Sequence, residues 1–248
     1  MRPVQGRTAV ALALASTLLG EVRSEAHVVL DGEIVQSLLR EIAKDLREST
    51  DGITEDARLE ALFLLGDNVQ RLAELMNLDV TAHGTSMYAE LLARGLDEYG
   101  IRISRNVRNR RYAYDMTAFR EYLKKSPRGK RAGEIRFRLI AATFYASIGK
   151  SEDELVGIDV DGLRRAIREQ EAFLREYSAH EKTRDVRLFL GMDYYRLYKN
   201  SPDAGTATRS KQASTDVLRE LIREYPGTSE ARAAEVTLEK MLEGTSKQ

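Results

Sequence analysis

Side chains that commonly carry out chemistry are few in this chain, and they stand far apart. The histidines are His27, His83 and His180, and none has a second histidine at the helical spacing that binds a metal ion. Cysteine is absent, which excludes thiolate metal ligands and a cysteine nucleophile. The sequence therefore predicts no catalytic residue, no metal site and no cofactor.

Short acidic runs and glycines are the remaining candidates for chemistry. The runs Glu152 to Glu154 and Asp159 to Asp161 lack the alternating oxygen ligands and closing glutamate of a calcium-binding loop. Neither a glycine-rich phosphate loop nor a Gly-x-Ser-x-Gly segment is present in the sequence. We therefore expect a protein that is not an enzyme, with solvated loops at the acidic runs.

The strongest local signal is a basic block from Arg102 to Arg131, with 11 basic against 2 acidic side chains. The segment before it, His27 to Ile101, has 15 acidic and 6 basic side chains. Arginines interleaved with aromatic side chains are typical of surfaces that bind RNA, phosphates or an acidic partner. The alternative carries equal weight: the basic block docks on the acidic helices of its own chain.

Tyrosines provide a second candidate surface. Tyr194, Leu197 and Tyr198 follow helical spacing, which predicts that they pack in the core and leave Tyr195 to line a concave surface. The predicted partner-binding residues come from the basic block and from this helix: Arg102, Arg105, Arg108, Arg110, Arg111, Tyr112 and Tyr195.

Helices are the elements that must position these residues. Glycine and proline are sparse and apolar positions recur at helical spacing, which predicts an all-α chain. We expect a first helix from about Gly32 to Glu48 and a second one capped by Thr54. A turn region from Asn77 to Ser86 follows the second helix, and Gly100 suits the left-handed residue that closes a helix.

The N-terminus predicts export. Arg2 and Arg7 precede an apolar run from Thr8 to Leu19, and Ser24-Glu25-Ala26 supplies the small residues that precede a cleavage site. We therefore predict a signal peptide over residues 1–26 and a mature chain that starts at His27 in the periplasm. The alternatives are an amphipathic or buried N-terminal helix and an uncleaved anchor.

Internal repetition is the main sign of architecture. Pro127, Ser178 and Pro226 can be aligned at intervals of 51 and 48 residues. At four and five residues before these points, and at five and twelve after them, the residue types match: Leu123, Leu174 and Ile222; Tyr122, Phe173 and Leu221; Ala132, Thr183 and Ala231; Leu139, Leu190 and Leu238. Antiparallel helix pairs stacked as a degenerate α-solenoid are therefore expected.

The unit from Val186 to Pro226 resembles a tetratricopeptide repeat. The motif Leu190-Gly191-x-x-Tyr194 is similar to the first-helix signature of that family, and Ala213-x-x-x-Val217 with Pro226 is similar to the second helix. Arg187 stands where the family has Trp, and the linker from Asn200 to Lys211 is about ten residues longer than the family's turn. Insertions in repeats often serve binding, so this linker is a further candidate surface.

The resemblance extends to bacterial cell-envelope tetratricopeptide proteins, such as outer-membrane assembly lipoproteins and the Tol-Pal coordinator. It implies a non-catalytic adaptor that binds a segment of another envelope protein, with no nucleic acid as ligand if the chain is exported. Two alternatives stay open: a cytoplasmic protein that binds nucleic acid or an acidic partner through the basic block, and an accessory component of a cell-wall enzyme system. The expected organisation is a helical region at 27–114, repeats at 115–243 and a polar tail at 244–248.

Overall fold

A computed structural model describes residues 32–84, 86–106, 111–147 and 159–243 of the chain. Within these ranges it contains nine helices and one two-stranded sheet, and 79% of the residues are helical. The helices are α1 (Gly32–Asp51), α2 (Glu55–His83), α3 (Met87–Asp97), α4 (Thr117–Lys125), α5 (Ala132–Ser147), α6 (Val160–Glu176), α7 (Thr183–Asn200), α8 (Ala204–Glu224) and α9 (Ser229–Glu243). The strands are β1 (Ile103–Arg105) and β2 (Tyr112–Tyr114).

The chain divides into two compact units, a first unit of Met1–Ala132 and a second unit of Gly133–Gln248. The predicted signal peptide and polar tail lie outside the described residues. Among the described helices, none combines the length and the apolar character that a membrane crossing requires.

The first unit is built around α2, which contacts α1, α3, α4 and β2. Val69, Leu72 and Met76 of this helix are completely buried. Thr54 caps its start, as predicted, because its hydroxyl accepts a hydrogen bond from the Ala57 N–H at 3.1 Å. Gly100, with φ of 77°, adopts the left-handed conformation that was expected of it.

The turn region predicted from Asn77 to Ser86 is wrong, because α2 continues to His83. The segment after Met76 contains no glycine or proline before Gly84. Gly84, with φ of 76°, ends the helix, and its N–H donates to the Val80 carbonyl at 2.8 Å.

The expectation of an all-α chain is also corrected, because β1 and β2 form an antiparallel hairpin inside the basic block. Ile103 pairs with Tyr114 and Arg105 with Tyr112. Ile103, Tyr112 and Tyr114 are buried, whereas Ser104 and Ala113 are exposed. Strands of three residues give too short an alternation to be distinguished from a helical pattern in the sequence.

The second unit is built around α7, which contacts α6, α8 and α9 along its length. It meets α5 through Phe189, whose ring stacks on Phe144 with 4.1 Å between centroids. Gly191 allows a close approach of α8, because a Cβ at this position would lie 2.6 Å from the Leu218 Cγ atom. Gly191, the glycine of the tetratricopeptide-like motif, thus permits close packing of α7 and α8.

The residues of α8 that contact α7 include the buried Ser214 and Leu218 and the half-buried Val217, which packs against the cluster of Leu190 and Leu197. Ala213, the other α8 residue of the tetratricopeptide-like motif, is half-buried. The Ser214 hydroxyl donates to the Gly191 carbonyl at 2.7 Å and so bonds the two backbones together. The predicted Asn200 to Lys211 linker is mostly helix, because Asp203 caps α8 by accepting from the Thr206 N–H at 2.6 Å.

The aligned positions Pro127, Ser178 and Pro226 lie in three helix-to-helix corners with the same backbone hydrogen bonds. The bond that ends each incoming helix joins Ser126 N–H to Tyr122 O, Tyr177 N–H to Phe173 O, and Tyr225 N–H to Leu221 O. A second bond closes each corner: Gly129 to Ser126, His180 to Tyr177, and Thr228 to Tyr225. The residues eight before the aligned positions are all buried: Phe119, Gln170 and Leu218.

Candidate partner-binding surface

The predicted partner-binding arginines are placed at the hairpin of the first unit. Arg102 is exposed, with its Nε atom 3.5 Å from Asp97. Arg105 is half-buried; its guanidinium lies 3.4 Å from Glu90 and 6.0 Å from the centroid of the Tyr112 ring. Arg111 is exposed, and Arg108 and Arg110 lie outside the described residues. The structure therefore brings Arg102, Arg105 and Arg111 to the same hairpin.

Tyr112 belongs to the interior of the first unit, because only 4% of its surface is exposed. Its backbone is held by Asn77 of α2, whose amide donates to the Tyr112 carbonyl at 2.8 Å and accepts from the Tyr112 N–H at 2.6 Å. Burial, followed by the nearby Glu90, raises the pKa of the Tyr112 phenol. Tyr112 thus fastens β2 to α2 and offers a ligand little surface.

Part of the basic block pairs with the acidic helices, as the internal alternative anticipated. Arg131 makes a bidentate ion pair with Glu60 of α2, at 2.5 Å and 3.2 Å, and its guanidinium stacks 4.4 Å from the centre of the Phe63 ring. The hydrogen bond from Arg131 holds the pKa of Glu60 below its ordinary value. Lys125 lies 4.0 Å from Glu55 at the start of the same helix.

Four other cations, on α4 and in the corner after it, form no ion pair with Glu55 or Glu60. Arg120, Lys124, Arg128 and Lys130 are exposed. Lys124 is 3.8 Å from Glu121 on its own helix, with 77% of its side chain exposed. The basic block is therefore divided: one part neutralises α2 and α3, and the other faces solvent.

All three tyrosines of α7 are half-buried. The predicted division into core residues, Tyr194 and Tyr198, and a surface residue, Tyr195, is therefore not seen. The Tyr194 hydroxyl donates to Glu171 of α6 at 2.6 Å, while its ring packs beside Leu190 and Leu197. Tyr195 packs against the cluster that contains Leu218 and Leu221. Its ring centroid is 6.2 Å from that of Tyr198. Tyr195 is therefore partly covered by the core and only partly available to a ligand.

A buried polar cluster in the second unit was not predicted. Asp193 of α7 is 1% exposed, and it accepts hydrogen bonds from the Gln170 amide at 2.8 Å and the Arg196 guanidinium at 2.9 Å. Arg196 also donates to the hydroxyl and the carbonyl of Ser147, the last residue of α5. Burial raises the pKa of Asp193, and its two hydrogen-bond partners oppose that shift.

This cluster ties three helices together instead of forming an open reaction site. Gln170 occupies the aligned position at which Phe119 and Leu218 stand in the other corners, so an amide replaces a large apolar side chain. The only sign of this cluster in the sequence is that a polar residue, Gln170, stands at an aligned position that is apolar in the other two corners. Asp45 of α1 has a similar setting in the first unit, where it accepts from the Asn68 amide at 2.9 Å.

Within the described ranges, no group of three or more His, Asp or Glu side chains is arranged to hold a metal ion. His83 lies 3.2 Å from Asp79 on the same helix, and His180 packs edge-on against Phe173. Comparisons of this chain with family models, with curated proteins and with solved structures returned no match.

Proposed function

We propose that this chain is a non-catalytic scaffold of the bacterial cell envelope that binds a segment of a partner protein through tetratricopeptide-like helix pairs. The observation that carries the proposal is the recurrence of one corner at intervals of 51 and 48 residues, with the same hydrogen bonds and buried positions. Stacked helix pairs of this kind present extended surfaces that such proteins use for binding.

The second unit supplies the surface that we assign to the partner. Alternate helices α5, α7 and α9 form one row, because α7 contacts both of the others. Tyr145 of α5 is 63% exposed, although its ring packs edge-on against Phe189 of α7. Tyr195 and Tyr198 add two half-buried rings on α7. Amphipathic aromatic side chains with low conformational entropy are the usual anchors of protein interfaces.

Site-specific photo-crosslinking in the host bacterium tests this proposal. A photoreactive residue replaces Tyr145 or Tyr195, and a matched probe replaces Arg219, an exposed residue of α8 outside the row. We expect a protein adduct from Tyr145 or Tyr195 that is missing from Arg219, identified by mass spectrometry. The scaffold proposal fails if both tyrosine positions yield no protein adduct.

Export is a separate part of the proposal and needs its own measurement. Edman sequencing of the protein purified from the host should start at His27, in the periplasmic fraction. Recovery of residues from the 1–26 segment in the mature protein would remove the support for cleavage, and recovery from the cytoplasm would remove the assignment to the envelope.

A further inference from the structure

We propose that a cationic strip on α4 and the corner after it is the docking site of a flexible acidic protein segment. The strip consists of Arg120, Lys124, Arg128 and Lys130, all of them exposed. This inference rests on the proposed function, because it assigns a chemistry to the partner. It concerns a surface of the first unit and is tested separately from the aromatic row.

Most of the charge on the strip is left uncompensated by the fold, although Lys124 lies 3.8 Å from Glu121. Between Thr117 and Arg131 the chain has six basic side chains and one acidic side chain. Arg128 and Lys130 make no hydrogen bond or ion pair with any described residue, although the charge of Lys130 helps to lower the pKa of Glu60. Arg120 donates to the Asp115 backbone carbonyl at 2.6 Å, a contact that leaves its positive charge unpaired.

The three equivalent corners provide an internal comparison. Residues 126–132 contain Arg128, Lys130 and Arg131 and no acidic residue. The matching residues 177–183 carry one Glu and one Lys, and residues 225–231 carry one Glu and no Lys or Arg. All three segments form the same backbone hydrogen bonds. Positive charge is therefore not needed to build a corner, and because Arg131 pairs with Glu60, it is the charge of Arg128 and Lys130 that we assign to binding.

The surroundings of the strip favour an acidic peptide over a membrane or a nucleic acid. Among residues 111–132, all described, no large hydrophobic side chain is exposed. Phe119 and Tyr122 are turned inward, with 0% and 3% exposure. The strip thus lacks the apolar side chains that insert into lipid and the aromatic faces on which bases stack. The remaining binding force is electrostatic attraction, which suits an extended peptide that carries many carboxylates.

A direct binding measurement on the full chain tests the assignment. The probe is a fluorescein-labelled peptide of about 16 residues made of glutamate and serine, long enough to pass along a helix about 13 Å in length. The test variant combines Arg120→Gln, Lys124→Gln, Arg128→Gln and Lys130→Gln. The control variant removes four exposed cations of the second unit: Arg209, Arg219, Arg223 and Arg232, each to Gln.

Fluorescence anisotropy at low salt should show that the test variant binds the peptide about tenfold more weakly than the wild type. The control, which loses the same net charge, should stay within about twofold. A charge-retaining variant, Arg120→Lys with Arg128→Lys, should bind like the wild type. Equal losses in the test and control variants would overturn the proposal, because net charge alone would then explain binding.

Carbodiimide coupling of the peptide to wild-type lysines gives a reading that does not depend on variant folding. Adducts at Lys124 and Lys130 are expected, and adducts spread evenly over all lysines would contradict the assignment.

Phosphatidylglycerol vesicles and a single-stranded oligonucleotide complete the set of probes. Binding to either one without binding to the peptide would overturn the acidic-segment proposal in favour of that class, and binding to none would also overturn it. Crosslinks from Tyr145 and Tyr195 report on the second unit, so the scaffold proposal can survive such a result.

Discussion

Leu218 of α8 packs directly on Gly191 of α7, so that a Cβ added to the glycine would lie 2.6 Å from the Leu218 Cγ atom. Leu218 is completely buried and has little room to move. We expect Gly191→Ala to destabilise the fold by about 1–3 kcal/mol, because α7 and α8 must separate. Urea unfolding followed by circular dichroism measures this change.

Gly205 of α8 is the matched control for Gly191. A Cβ at Gly205 would lie 3.5 Å from its nearest neighbour, the Arg209 side chain, which is an ordinary contact. Gly205→Ala should therefore be neutral or stabilising, by up to about 1 kcal/mol. Similar destabilisation by the two substitutions would argue against close helix packing as the role of Gly191.

Arg196 neutralises the buried Asp193, and its removal should be costly. Arg196→Met leaves a buried carboxylate without its cation, so we expect a loss of about 3–5 kcal/mol in the free energy of unfolding. Replacing Gln170, Asp193 and Arg196 together by Leu, Leu and Met should recover much of that loss, because no unpaired charge remains.

Urea unfolding of the single and triple variants checks the prediction for Arg196. Arg219→Met, at an exposed position of α8, should change the stability by less than about 0.5 kcal/mol. A single variant no less stable than the triple one would show that the charge of Asp193 is not what Arg196 compensates.

Asn77 of α2 supplies hydrogen bonds to β2 that a neighbouring strand would otherwise make. Its side chain bonds to both the N–H and the carbonyl of Tyr112. Asn77→Ala should cost about 1–3 kcal/mol by leaving those groups unsatisfied. Amide hydrogen exchange at Tyr112 should accelerate with it. Thr81→Ala, an exposed change in the same helix, serves as control, and unchanged exchange at Tyr112 in Asn77→Ala would contradict the assigned role.

Asp45 makes the stability of the first unit depend on pH. Burial raises its pKa in the folded chain, while the unfolded chain keeps the ordinary value. Between these two values the folded state binds more protons, so its stability falls as the pH rises through that window. Asp45→Asn keeps an acceptor for the Asn68 amide but cannot ionise, and should therefore be more stable than the wild type at neutral pH.

Urea unfolding between about pH 3.5 and pH 7 isolates this contribution as the difference between wild type and Asp45→Asn. The advantage of the variant should be small at the acidic end and should grow as the pH rises. A difference that does not change with pH would show that Asp45 has an ordinary pKa in the folded chain.

Local signals predicted two capping residues, Thr54 and Gly100, but not the two-stranded sheet. Thr54 and Gly100 act through their own hydroxyl and backbone, so their roles can be recognised from residue type alone. The hairpin pairs Ile103 with Tyr114, and its position depends on a contact with Asn77 that lies far away in sequence. Nothing in the hairpin's own residues specifies that contact.

Contacts between helices were predictable where a small residue marked them. Gly191 indicated a close approach of α8, but a glycine does not specify which residues of the facing helix it meets, and these are Ser214 and Leu218. The continuation of α8 through residues 204–211 depends on the cap at Asp203, and a segment rich in Ser, Thr and Gly resembles a loop in composition. In the basic block, the sequence could not separate Arg131, paired with Glu60, from the outward-facing Arg128.

Gln170 affects which helices of the second unit can pack stably against each other. A stack of similar helix pairs faces many arrangements of nearly equal energy, including exchange of a helix with a second copy of the chain. Moved against another helix, Gln170 and Asp193 would both lose a buried partner, at a cost that apolar side chains do not impose. The hydrogen bond between Gln170 and Asp193 therefore favours the packing of α6 against α7 over arrangements in which a helix is exchanged with a second copy of the chain.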